Sequence, residues 1–304
     1  MTGREWRPLA RNTANRIAGL VALSGVVVLF VGATDTTVAS AKTTAASASS
    51  PVTKSVSFSV DLRLQMPKEY AVAWHATGDA NFANHQTEES ITVPTTGLHP
   101  LVAHTSGVLP GTRSLVLGFE WVNGHAYLTV PPSLSAEVGG EALALPLGAS
   151  NAAKIDRALD QSAVALTYAK TLLTQLASGQ PQHHVGTRTI DGVPTSGTRV
   201  DLTLAQLLKV NPGMSPTMVG DLSKFGGEML PVTLWIDHQG RLREVTMAST
   251  GNSTVPSIRG TVMFFNYDAP VSVSAPPANK VKPFSTAILK LLSGLSPFGT
   301  FPLP

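Results

Sequence analysis

Residues 56–64, Val-Ser-Phe-Ser-Val-Asp-Leu-Arg-Leu, alternate apolar and polar side chains without a break. The apolar residues occupy every even position, and Ser57, Ser59, Asp61 and Arg63 lie between them. Successive side chains of a β-strand point to opposite faces, so this period of two is typical of a strand with one buried face. The stretch therefore predicts a half-buried strand and a sheet that covers an apolar core.

Further strand patterns lie on either side of a long helical pattern. Two residue pairs, Asn123-Gly124 and Asp191-Gly192, predict tight hairpin turns, because Asn, Asp and Gly tolerate positive φ. A third hairpin is predicted around His238-Gln239-Gly240. The predicted strands, with numbering from the sequence, are Tyr70–Gly78, Gln86–Val93, Ser114–Trp121, His125–Val130, Gly186–Ile190, Thr195–Leu202, Leu230–Asp237, Leu242–Ser249, Ile258–Tyr267 and Val271–Ala275.

One long helix is predicted from Asn151, a suitable N-cap, through residues 154–177, which contain no Gly or Pro. Leu159, Leu166 and Leu173 recur every seven residues and form one apolar stripe. The Pro- and Gly-rich stretch before the helix, residues 131–150, is predicted to be a mobile loop. Shorter helices are predicted at Leu204–Val210 and Thr286–Leu292.

Hairpins joined by short loops predict an antiparallel sheet with the helix on one face, an α+β fold. We expect a single domain over residues 55–282. A flexible Ala/Ser/Thr linker is expected at 42–54, and an apolar tail at 283–304.

The first 41 residues have the order of an export signal. Four arginines lead into the uncharged run Ile17–Ala33, and the small residues Ala39-Ser40-Ala41 suit a signal peptidase. The run is also nearly long enough to remain as a membrane anchor. Either outcome, a cleaved signal or an anchor, places the rest of the chain outside the cytoplasm, secreted or on the outer face of the membrane.

Composition excludes several classes of function. The chain has 22 Lys and Arg against 19 Asp and Glu; four arginines, Glu5 and Asp35 precede Ala41, which leaves 18 against 17. A nearly neutral domain gives no electrostatic footprint for nucleic acid. The chain has no cysteine, which excludes disulfides, thiol catalysis and zinc–thiolate sites.

No residue pattern predicts catalysis, a cofactor or a metal site. The eight histidines, of which His183-His184 are placed in a loop, lack the i, i+4 spacing of a zinc site. Asp237-His238 is interpreted as part of a turn, since Gly240 follows and no nucleophile elbow is present. Glu88-Glu89 is interpreted as a charged pair near a strand start. The chain is therefore not expected to be an enzyme.

Three segments carry a family resemblance: Val185–Thr195 with its partner Thr198–Leu202, then Leu230–Arg243, then Met263–Pro277. Their order and residues resemble those of actinobacterial envelope proteins of the LppX and LprG type, and more distantly the lipoprotein carriers LolA and LolB. The resemblance implies an open half-barrel, a strongly curved antiparallel sheet with helices over its concave face. It also implies an apolar pocket for acyl chains. The relatives are usually anchored through a cysteine, which this chain lacks.

A non-catalytic protein that shields a lipid or lipid-like ligand in the cell envelope is therefore expected. Leu159, Leu166 and Leu173 are the predicted lipid-binding residues. The alternative is a structural or protein-interaction module of the envelope, in which the same stripe closes a filled core. A membrane contact is expected through the N-terminal segment if that segment is not cleaved.

Overall fold

The computed structural model describes residues 52–65, 71–94, 114–176, 181–203, 229–250 and 257–284. The predicted helices at 204–210 and 286–292, residues 1–41, most of the linker and most of the tail lie outside these ranges. No helix in the described ranges is both long and apolar enough to cross a membrane.

The described strands form one open sheet of twelve strands. The bounds of the strands are β1 Ser55–Gln65, β2 Ala71–Asn81, β3 Gln86–Pro94, β4 Ser114–Val122, β5 His125–Thr129, β6 Ala142–Ala144, β7 His183–Ile190, β8 Val193–Leu202, β9 Leu230–Asp237, β10 Leu242–Ser249, β11 Ser257–Phe265 and β12 Val281–Pro283. Their order across the sheet is β12-β6-β5-β4-β3-β2-β1-β11-β10-β9-β8-β7. All neighbours are antiparallel except β12 and β6. The α+β half-barrel expected from the sequence is confirmed.

Strand β1 joins the two halves of this sheet. It pairs with β2 along one edge and with β11 along the other, so Val60 lies opposite both Ala76 and Val262. All three side chains are buried in one hydrophobic cluster. The period-two pattern of residues 56–64 thus places one row of apolar side chains on the concave face, as predicted.

The tight turns occur where the sequence predicts them. Asn123 and Gly124 have φ values of 53° and 75°, and Asp191 and Gly192 have values of 47° and 74°. Each pair connects two antiparallel strands, β4 to β5 and β7 to β8. Positive φ at both central residues is the geometry that matches the twist of a hairpin.

In the described ranges, three α-helices accompany the sheet: α1 Pro132–Val138, α2 Ala149–Thr167 and α3 Ala169–Leu176. The predicted loop at 131–150 is therefore wrong, because it contains α1 and β6. Pro132 stands in the first turn of α1, where no backbone donor is needed, and Gly139 ends the helix with φ 76°. Leu134 and Leu143 of this segment are 1% and 0% exposed and belong to the hydrophobic core.

The single long helix predicted from Asn151 is also wrong in both its start and its continuity. Gly148 precedes the first residue of α2 with an extended backbone, so Asn151 lies inside the first turn. Tyr168 leaves helical geometry between α2 and α3, with φ −116° and ψ 36°. The hydroxyl of Thr167 donates to the carbonyl of Ala163 at 2.7 Å, a back-bond of the kind that bends helices.

Several strand predictions differ from the structure. Strand β2 continues through Asp79 to Asn81, and β7 begins at His183, so the two adjacent histidines lie in a strand and not in a loop. Strand β11 ends at Phe265, before a turn with positive φ at Asn266 and Asp268. Residues 271–275 form no strand, because prolines at 270, 276 and 277 lack the donors of a ladder.

The convex face carries a row of three carboxylates on adjacent strands. Asp79 of β2 lies opposite Glu88 of β3, and Glu88 lies opposite Glu120 of β4. Burial, followed by the charge of Asp79, raises the pKa of Glu88. Burial also raises the pKa of Glu120, which a hydrogen bond from Thr129 partly offsets and the charge of Glu88 reinforces. Like charges placed opposite each other weaken a sheet.

We predict that Glu120→Gln stabilises the protein near pH 7, by about 0.5–1 kcal/mol in the free energy of unfolding. A raised pKa means that Glu120 binds its proton more tightly in the native state than in the unfolded state. Ionisation of this carboxyl therefore lowers the free energy of unfolding, and the loss grows as the pH rises above 4.5, the ordinary pKa of the group. The gain should therefore shrink as pH falls to about 4. Urea unfolding of the parent and the variant at pH 7 and pH 4 measures this difference in the free energy of unfolding. An equal gain in stability at both pH values would contradict the prediction.

Gly78 of β2 lies opposite Phe58 of β1 on the concave face. A methyl group at this position would overlap the carbonyl of Glu88 and lie 2.7 Å from Cζ of Phe58. We predict that Gly78→Ala lowers the free energy of unfolding by about 1–3 kcal/mol, because the backbone of β3 must move. Ser90→Ala, at an exposed position of β3, is the control and should change it by less than about 0.5 kcal/mol.

Candidate functional site

An open groove of about 570 Å³ runs beside helix α2. Its walls come from three parts of the chain that are far apart in sequence: the segment before β1, the 3₁₀ turn Phe82–Asn84 between β2 and β3, and the middle of α2. The residues that line it are Val52, Thr53, Lys54, Phe82, Ala83, Arg157, Asp160, Gln161, Ala163 and Val164.

The wall that precedes β1 is held by backbone hydrogen bonds to distant residues. The amide of Thr53 donates to Oγ1 of Thr167 at 2.8 Å, and the amide of Lys54 donates to Oδ1 of Asp268 at 2.8 Å. The carbonyl of Lys54 accepts from the amide of Phe82 at 2.8 Å. Thr53 is 2% exposed. The last residues before β1 therefore form a fixed part of the groove.

The floor of the groove is apolar and its rim is charged. Phe82, Ala163 and Val164 are buried, whereas the rim residues Lys54 and Asp160 are exposed. Across one end of the rim, Nε2 of His85 lies 2.8 Å from Oδ1 of Asp160. This pair connects the β2–β3 turn to α2. An apolar floor with a polar rim suits an amphiphile, whose tail and head need different surroundings.

The predicted lipid-binding residues lie on the neighbouring stripe of the helices. Leu159, Leu166 and Leu173 are 8%, 0% and 3% exposed and belong to the hydrophobic cluster that includes the concave face of the sheet. Ala163, on the same stripe four residues after Leu159, belongs to this cluster and also lines the groove. The groove therefore borders the leucine stripe at Ala163. That the three leucines contact a ligand stays a prediction.

Asp237 is the last residue of β9, and the turn that the sequence predicts here begins at His238. Its Oδ1 accepts from the amides of Gln239 and Arg241 at 2.9 and 3.0 Å, and its Oδ2 accepts from Nε of Arg243 at 2.8 Å. His238, in contrast, is exposed. Within the described residues, the hydrogen bonds of the carboxylate go to the β9–β10 turn and to Arg243 at a bulge, and none goes to a histidine.

Tyr267 sits between two arginines next to this turn. The guanidinium carbons of Arg241 and Arg243 lie 5.2 and 4.7 Å from the centre of its ring, and its hydroxyl donates to the carbonyl of Leu242. Burial raises the pKa of Tyr267 despite the charge of Arg243. The phenol stays protonated, and its place in the network is structural.

The histidines do not gather with other ligands. In the described ranges, no three His, Cys, Asp or Glu side chains are placed to hold a metal ion. His75 instead pairs with Asp61 across β1 and β2, with Nδ1 and Oδ1 2.8 Å apart, and both side chains are largely exposed. Such exposed pairs contribute little to stability.

The groove itself was not predicted from the sequence. Phe82 lies between two predicted strands, next to Asn81 and Asn84, which favour a turn. A large apolar side chain in a turn indicates that the turn packs against another element of the fold. That single residue was the available signal. Which helix it meets depends on contacts between residues more than seventy positions apart.

Comparison with known proteins finds no family model and no curated protein that matches the chain. Similar solved structures exist. LprF from Mycobacterium bovis has 16% sequence identity and a TM-score of 0.41, over 79% of this chain and 96% of its own. The Mycobacterium tuberculosis lipoprotein LppX has 15% identity and a TM-score of 0.39, over 80% of this chain and 100% of its own. Proteins of the LppX and LprG type, which the sequence resembles, are thus among the similar solved structures.

Proposed function

We propose that this chain is a non-catalytic protein of the cell envelope that binds a lipid or lipid-like apolar ligand outside the cytoplasm. The observation that carries the proposal is the groove beside α2, whose apolar floor meets the leucine stripe at Ala163. The export-type N-terminal segment supports the location. The resemblance of residues 185–277 to the LppX and LprG type supports the ligand class.

Burial of an acyl chain supplies the binding free energy that such a protein needs. Removing one CH₂ from water contributes about 0.8 kcal/mol, so a chain of 16 carbons contributes roughly 12 kcal/mol. A groove of about 570 Å³ falls in the usual volume range of small-molecule sites. A protein that shields a lipid needs a dry surface and no reactive group, which agrees with the structural bonds of Asp237 and Tyr267.

The head and the tail of the ligand would occupy different parts of the site. Lys54, at the rim, suits an anionic or polar head group, while Phe82 and Val164 suit the first carbons of the tail. We propose that the tail continues past Ala163 along Leu159, Leu166 and Leu173, between α2, α3 and the concave face. Leucine side chains on one helical stripe present a continuous apolar surface to such a tail.

A structural or protein-interaction module is the second candidate. The observation that favours it is the close packing of the described core, in which Leu166 is 0% exposed. In such a module the leucine stripe would serve only to hold the helices on the sheet.

We predict that Ala83→Trp lowers the affinity for a fluorescent fatty-acyl probe at least tenfold. Ala83 is exposed and lines the groove, so an indole there fills the space of the ligand without entering the core. The melting midpoint should stay near that of the parent protein. Ala153→Trp, on an exposed part of α2 outside the groove, is the matched control and should bind the probe normally.

Failure of the parent protein to bind the probe would refute the lipid proposal and leave the envelope module. Equal binding by the parent and the Ala83→Trp variant would show that the ligand lies elsewhere and would remove the groove from the proposal.

We further predict that a diazirine-bearing fatty-acyl probe, irradiated with the native protein, cross-links to Leu159, Leu166 and Leu173. The reason is that the proposed tail path lies along this stripe. The exposed residues Lys154 and Lys170 of the same helices are the internal control and should not be modified. Peptide mass spectrometry locates the cross-links. Labelling of the groove residues without the leucines would assign the stripe to the core alone.

A further inference from the structure

Two arginines stand directly opposite each other on the convex face of the sheet. Arg63 of β1 and Arg259 of β11 are register partners, and both side chains are exposed. Cross-strand partners lie closer together than any other residues on one face of a sheet. The fold therefore places two permanent positive charges side by side, although nearly two hundred residues separate them in the sequence.

Among the described residues, carboxylates pair with other arginines of the sheet and its turns but not with Arg63 or Arg259. Ion pairs between described residues join Arg188 to Glu244, Arg199 to Asp201, Arg241 to Asp268 and Arg243 to Asp237. Within the described part of the chain, Arg63 and Arg259 have no such partner. Asp61, two residues from Arg63, instead pairs with His75. Like charges in this position destabilise a sheet unless an anion lies between them.

Among the described residues, the strand neighbours of the pair are small and leave both arginine side chains exposed. The residue beside Arg63 on β2 is Ala73, and the residue beside Arg259 on β10 is Ala248. Neither methyl group can cover an arginine side chain.

The pair also lies eight residues along β1 from Ser55, about 26 Å from the end of the strand where the groove is found. The arginine pair is therefore separate from the proposed ligand site.

We propose that Arg63 and Arg259 form a docking surface for the phosphate groups of an anionic membrane. The planar fork of each guanidinium group matches the oxygens of a phosphate and binds it with two hydrogen bonds. A flat lattice of lipid phosphates can approach the exposed pair, whose alanine neighbours do not obstruct it. The positive charges of the two guanidinium groups are complementary to the negative charges of the phosphates, because no carboxylate of the described structure neutralises the pair.

Two charges suffice for this purpose if the domain is already held near the membrane. The apolar run at 17–33 is expected to hold it there at least until cleavage. A tethered contact is intramolecular, so a weak surface is occupied because of its high effective concentration. Each arginine near an anionic bilayer favours the docked state by about fivefold, and the pair by roughly 30-fold. The surface would orient the domain on the membrane.

The test uses the full chain reconstituted in vesicles, where a dye reports how close this face lies to the lipid. Because the chain has no cysteine, Ala248→Cys introduces a unique labelling site beside Arg259. A lipid-borne quencher is then compared in vesicles of phosphatidylcholine alone and of phosphatidylcholine mixed with phosphatidylglycerol. Quenching should be stronger in the anionic vesicles and should be lost in about 1 M salt, where the Debye length is about 3 Å.

The double variant Arg63→Gln/Arg259→Gln should reduce the ratio of docked to undocked domains by about 30-fold. Arg199→Gln is the matched control, because Arg199 is also exposed but already paired with Asp201, and it should leave quenching unchanged. Uptake of the acyl probe should be normal in all three proteins, which separates this proposal from the ligand proposal. Equal quenching in both kinds of vesicle, or no effect of the double variant, would overturn the docking surface.

Discussion

The pairing of β1 with two neighbours is the interaction on which the rest of this structure depends. Strand β1 is the first strand of the sheet in the sequence, but it lies in the middle of the sheet. Its neighbours are β2 of its own half and β11 of the other half. Its inward row, which includes Val56, Phe58 and Val60, meets apolar side chains from both sides. Without this strand each half would expose a long unpaired edge, which proteins avoid because such edges recruit other chains.

A sheet joined in this way has a concave face that a helix must cover. Helix α2 does so with its apolar stripe, and Asp156 of the helix accepts a hydrogen bond from Nε1 of Trp121 on β4 at 3.0 Å. The helix ends at Thr167, whose hydroxyl also accepts from the amide of Thr53. The helix covers the sheet incompletely beside the β2–β3 turn, and the groove occupies that space. The candidate site is thus a consequence of how one helix fits one curved sheet.

The two faces of the sheet are suited to different partners. The concave face is apolar, and there the proposed ligand would be removed from water. The convex face carries charges in cross-strand rows, acidic across β2, β3 and β4 and basic across β1 and β11. Rows of one sign lower the stability of an isolated domain. The basic row is the surface that we propose for membrane docking.

Elements whose causes are local could be predicted from the sequence alone. Alternation in residues 56–64 and turn chemistry at Asn123-Gly124 and Asp191-Gly192 depend only on side-chain direction and allowed φ, so the strands and hairpins were predictable. Three other features became known only from the folded chain: residues 131–150 contain a helix and a strand, α2 ends at Thr167, and Arg63 lies opposite Arg259. These features depend on hydrogen bonds, burial and register between residues over a hundred positions apart in several cases, such as Thr53 and Thr167. No local pattern encodes which of many possible distant partners a residue meets, because that choice follows from the packing of the whole sheet.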